Sequence, residues 1–172
     1  MFTIHAETFH WIQNDGKDVP GDFCLHGDVA VTIGGEAFRY DGTVSAAALY
    51  LLRTLTEEHH NHEDENMIPC CGHFMIASGD LQTVIVTGCT NGIDWSVLHM
   101  DGGVKLVTEA GNTTFIDTET YRKEVFAFAD AVEAYYQSCL PKNLAEADNF
   151  VRDGYIAFWN EWHRRRMREG SA

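Results

Sequence analysis

The chain brings thiols and an imidazole close together in sequence at Cys70, Cys71, His73 and Cys89, within the stretch IPCCGHFMIASGDLQTVIVTGCTNGIDWSVLHM. Zinc takes thiolate and imidazole donors in a tetrahedral set, and these four residues could supply one. Just upstream, EEHHNHEDEN adds His59, His60 and His62 beside Glu63, Asp64 and Glu65. Spacing argues against a shared ion. Adjacent cysteines on a strand point to opposite faces, so Cys70 and Cys71 meet one metal only where the backbone bulges. Neither a C-x-x-C nor an H-E-x-x-H pattern is present. The competing expectation is a solvated acidic loop followed by buried thiols that pack as small hydrophobes, with no cofactor.

Cys89 could alternatively act as a nucleophile, with His73, Asp94 and His99 as candidate neighbours. Such chemistry needs a thiolate, stabilised by an imidazolium or a helix N-terminus, and no helix start follows Cys89. A metal- or thiol-dependent enzyme centred on Cys70, Cys71, His73 and Cys89 is therefore the alternative function. Asp94 beside Trp95 could be a desolvated acid, but is expected to cap its own Asn91-Gly92 turn. Gly34-Gly35 and Gly102-Gly103 sit in hairpin-like turns without a following helix, which argues against a phosphate cradle and hence against a kinase, an NTPase or a dinucleotide enzyme.

The elements that must position these residues can be read from periodicity. Ile68 to Met100 alternates strand and turn, with Gly79-Asp80 and Asn91-Gly92 as the turns, and reads as the centre of an antiparallel sheet. Before it, a possible edge strand in residues 2–12 and a meander from Phe23 to Tyr40 lead to a helix. That helix is capped at Thr43 or Ser45 and reaches about His59; Val44, Ala48, Leu51, Leu52 and Leu55 form its apolar stripe. After it, Val104–Val107 and Thr113–Ile116 pair. A long helix capped at Asp117 or Thr118 carries Tyr121, Val125, Phe128, Val132 and Tyr136 at helical spacing and stops at Pro141. A last helix, from about Asp153 to Arg168, places Tyr155, Phe158, Trp159 and Trp162 on one face. The expectation is a single α+β domain over residues 1–172: an antiparallel sheet of about six to eight strands with two or three helices packed on one face.

Charge sets the class of partner. Twelve Lys and Arg against 26 Asp and Glu give a net charge of −14, the wrong sign for a nucleic-acid surface or an anionic membrane. Before residue 101 the basic side chains are Lys17, Arg39 and Arg53, while Arg164, Arg165, Arg166 and Arg168 form a basic tip. The N-terminus MFTIHAETFHW lacks the basic and apolar regions of a leader, and five cysteines is an odd number. A cytoplasmic protein with reduced thiols is expected.

The segments FAFADAVEAYYQSCLPK and DGYIAFWNEWHRRR resemble the C-terminal part of small bacterial immunity proteins of the polymorphic-toxin type, over Tyr121 to Arg166. The resemblance implies a single-domain acidic protein that neutralises a toxin by covering its active site, and it carries no catalytic motif. The leading expectation is thus a protein-binding module for a basic partner, with Glu57, Glu58, Glu63, Asp64 and Glu65 steering the encounter.

Overall fold

The computed structural model describes residues 1–63, 65–72 and 74–168. Asp64 and His73, one from each predicted site, lie outside the described residues.

Alternation of apolar and polar side chains at the N-terminus produces three antiparallel strands, β1 (Phe2–Ala6), β2 (His26–Ile33) and β3 (Glu36–Thr43), in that order across the sheet. Phe2, Ile4, Val29, Val31 and Ile33 point inward. Thr43 ends β3, and α1 (Val44–Arg53) begins at once. Every residue of α1 from Val44 to Leu52 is buried, so the helix has no solvated face and is held on all sides by tertiary packing. It stops at Thr54, earlier than the predicted His59. There the Thr54 hydroxyl bonds Leu51 O at 2.7 Å and the Tyr121 hydroxyl at 2.7 Å, and the polar run beyond leaves the core.

The next stretch forms one long hairpin with a gap in it. Its lower rungs are β4 (Ile68–Pro69) and β7 (Gly92–Ile93), and its upper rungs are β5 (Phe74–Ala77) and β6 (Val84–Thr87). Pro69 pairs with Gly92, and Phe74 with Thr87, so the same number of residues separates the rungs on each arm and the register carries through the gap. Gly79-Asp80 makes the predicted turn. Asn91-Gly92 does not: Gly92 sits inside β7, opposite Pro69. β8 (Trp95–Met100), β9 (Gly103–Thr108) and β10 (Thr113–Asp117) complete a second three-stranded antiparallel sheet, ordered β10-β9-β8.

The architecture is α+β, with ten strands and three α-helices among the described residues. The strands are divided among four small antiparallel sheets, where six to eight in one sheet were expected. The reason lies in the backbone. Among the described residues the strand pairing stops at Pro69↔Gly92 and resumes at Phe74↔Thr87, and at Asp94 a buried carboxylate separates β7 from β8.

α2 (Thr118–Ser138) is capped by Asp117, whose carboxylate accepts the Thr120 N–H at 2.9 Å. Its buried stripe of Tyr121, Val125, Phe128, Ala129, Val132 and Tyr136 packs against α1, β1 and β9. α3 (Asn149–Arg168) lies on β5 and β6, with Phe158 and Trp162 fully buried. Gly154 makes this crossing close, since a Cβ there would lie 2.0 Å from Met75 O. No helix among the described residues is long and apolar enough to cross a membrane.

Candidate functional site

The gap in the hairpin gathers three thiols. The Sγ atoms of Cys70, Cys71 and Cys89 all lie within 4.8 Å of one another. Cys70 N–H still bonds Asn91 O at 2.8 Å, the last rung before the ladder lapses. Beyond it, the Cys89 N–H donates to Cys71 Sγ at 3.0 Å. The two arms touch here: a Cβ on residue 88 would sit 1.9 Å from Cys71 O, a space only glycine leaves open. Because residues 70–72 are not in a strand, the alternation of a pleated chain does not apply. That corrects the expectation that Cys70 and Cys71 diverge. The three thiols are also half-buried rather than packed away as core hydrophobes.

The three differ electrostatically. The Cys89 thiol is held below its ordinary pKa because the Asn91 N–H donates to it, with the Cys71 and Cys70 thiols adding to the effect. Cys70 is pushed up, first by its hydrogen bond to Cys89 and then by burial. Cys71 is pushed up by burial, with the charge of Cys89 adding. The donors around Cys89 thus favour its thiolate, whereas burial and the neighbouring sulfur disfavour those of Cys70 and Cys71. The Tyr40 hydroxyl also faces Cys70, a neighbour brought in from β3 that local sequence could not reveal. Cys24 is separate: it is buried, its thiol bonds Gly72 O at 3.4 Å, and desolvation raises its pKa to about 11.

Of the predicted nucleophile partners, His73 lies outside the described residues, and His99 and Asp94 are engaged away from Cys89. His99 Nε2 bonds Thr54 O at 3.0 Å, and Asp94 is engaged with His59. Asp94 does not cap an Asn-Gly turn either. Buried between β7 and β8, it accepts from His59 Nε2 at 2.8 Å, Trp95 N at 2.9 Å and Met67 N at 3.1 Å. It thereby ties down both ends of the acidic loop, and a backbone bridge between His59 and Val97 of β8 adds to the anchor.

The acidic residues fall into two groups. Glu57 is exposed but bonds Arg165 at 2.7 Å. Glu58 lies 3.3 Å from His60 Nε2 and accepts the His99 N–H at 3.1 Å. Glu63 and Glu65 are exposed. Glu57, Glu58 and Glu65 border a shallow hollow of about 210 Å³ with Tyr50, Arg53 and His59. Behind it runs a buried ion-pair chain that sequence reasoning missed. Glu161 is 1% exposed and takes Arg53 at 2.9 Å, Arg165 at 2.8 Å and the Val84 N–H at 2.9 Å. Its one local signal was Arg53, the single cation in an otherwise apolar helix. Burial alone would raise the Glu161 pKa, but Arg53, the Val84 N–H and Arg165 hold it below the ordinary value.

A larger hollow, of about 710 Å³, opens between the 12–24 segment, β5, the 143–148 linker and the first turn of α3, with Cys24, Phe74 and Phe150 in its lining. None of the three clustered thiols lines it. No family model, no curated protein and no solved structure matches this chain.

Proposed function

We propose that the protein is an acidic binding module that docks a basic protein partner, in the manner of an immunity protein that neutralises a toxin. The observation that supports this reading is the direction its cations face. Arg165 binds Glu161 and Glu57, Arg166 binds Asp130, and Arg53 binds Glu161. Lys142 pairs with Asp18 and lies 3.4 Å from the centre of the Trp11 ring. These positive groups, including two arginines of the expected basic tip, are matched within the chain. With four of the twelve cations held in this way in a chain of net charge −14, the exposed Glu58, Glu63 and Glu65 of the loop anchored by Asp94 offer a negative surface.

A field of one sign raises the rate of encounter with a partner of the other sign and is screened by salt. The reading goes with a cytoplasmic setting, in which the thiols stay reduced. It requires no catalytic machinery in this chain.

The test is to co-express the chain with basic toxin domains, beginning with any encoded beside its gene, and to measure host survival. Affinity for a rescued toxin is then measured at low and high salt. Rescue together with binding that weakens as salt rises is the expected result. Absence of rescue, or a complex indifferent to salt, would overturn the proposal.

A further inference from the structure

We propose that Cys70, Cys71 and Cys89 together bind one thiophilic divalent cation, zinc foremost, and so staple the hairpin where its backbone ladder is interrupted. The proposal is independent of the acidic-surface reading, because it rests on sulfur geometry alone.

Distance is the first argument. A zinc–thiolate bond of about 2.3 Å places the sulfurs of a tetrahedral site about 3.8 Å apart. Three sulfurs already within 4.8 Å need only a small closure to reach it. Convergence is the second. Two donors come from the β4–β5 arm and one from the β6–β7 arm, so an ion would tie the arms together between the paired rungs Pro69↔Gly92 and Phe74↔Thr87. The third argument is the setting of the sulfurs. The Cys89 N–H points at Cys71 Sγ, and N–H donors to sulfur stabilise ligand thiolates. Half-burial lets an ion enter while limiting competition from water. Glycine at 88 lets the arms approach closely enough for all of this.

The reaction balances simply. One Zn²⁺ displaces the protons of three thiols, which pass to solvent, and leaves a tris-thiolate of net charge −1 with the fourth position of the tetrahedron open to water. Neither oxidant nor reductant is involved.

The test uses untagged full-length protein, reduced and stripped with a chelator, and then titrated with Co²⁺. One equivalent should produce sulfur-to-cobalt charge-transfer absorption and the d–d bands of a tetrahedral ion, and Zn²⁺ should bleach both. Cys89→Ser should abolish the charge-transfer band, whereas Cys24→Ser and Cys139→Ser should keep it. A wild-type protein without the band, or a Cys89→Ser protein that retains it in full, would overturn the proposal. Should Cys89→Ser fail to fold, proton release on adding Zn²⁺ to the wild type decides. Release of two to three protons per bound ion supports the site, and none refutes it.

Discussion

The acidic loop at residues 57–66 and the three thiols of the interrupted hairpin follow one another along the chain, yet they are held in different ways. The loop is fixed at its root by Asp94, which accepts from His59 and Met67, while Glu63 and Glu65 project into solvent. The thiols are set by two backbone arms in contact, at Gly88 and Cys71, and each sulfur has a defined neighbour. A long-range field tolerates mobile side chains, because it depends on net charge and falls off slowly. Metal ligation does not, because each lone pair must meet the ion within a few tenths of an ångström. One region therefore needs composition and the other needs geometry.

Removing the structural carboxylate tests this contrast most severely. Glu161→Ala leaves Arg53 without its buried partner and is expected to cost about 3–5 kcal/mol of unfolding free energy in urea denaturation. If the loss were no larger than for an exposed glutamate, the division between inner and outer carboxylates would fail. The pH dependence has a definite sign. Glu161 has a pKa below its ordinary 4.5 in the fold, so its stabilisation is complete above pH 4.5 and is lost as pH falls through the lower folded value. The acid limb of a stability–pH curve should flatten in the Glu161→Gln variant.

Asp94→Ala comes next. It strands the buried Met67 and Trp95 N–H groups, at an expected cost of about 1–3 kcal/mol. Hydrogen exchange should rise across residues 57–67, and affinity for a basic partner should drop even though every loop carboxylate remains. Unchanged protection there would show that the loop has another anchor. Gly88→Ala should cost about 1–3 kcal/mol by forcing the arms apart, and should weaken Co²⁺ binding while leaving the acidic loop untouched.

A smaller effect separates the thiols from one another. With the metal removed, alkylation followed by peptide mass spectrometry should label Cys89 before Cys70 and Cys71, with Cys24 last. Thiolate fraction rises with pH, so the Cys89 rate profile should lie at lower pH than theirs, and that of Cys24 should lie toward its raised value of about 11. Equal rates at Cys70, Cys71 and Cys89 would dissolve the cluster as an electrostatic unit. The smallest stability change belongs to Glu58→Gln, Glu63→Gln and Glu65→Gln combined, within about 0.5 kcal/mol per site. Their effect should instead appear as slower association with a basic partner and a shallower salt dependence.

Much of the scaffold was legible because its signals are local. Asp117 and the Tyr121–Tyr136 stripe define α2, and the two-residue alternation from Val29 to Ile33 defines β2. The absence of a polar face on α1 already implied that it lies inside. The gap in the hairpin was not legible: Cys70-Cys71 and Gly88-Cys89 look like strand continuations, and only the contact of Gly88 with Cys71 shows why the ladder lapses. Asp94 was misjudged for a similar reason, since its partners His59 and Met67 lie on a segment far back in the chain.

The sequence alone determined the helices, the strands with clean alternation and the sign of the molecule's charge, because each follows from neighbours within a few residues or from a simple sum. Tertiary structure alone decided that three thiols meet and that Arg165 and Arg166 of α3 turn to Glu161, Glu57 and Asp130. Those outcomes depend on how separate segments pack, and the free energy that places one segment against another is not written in either segment by itself.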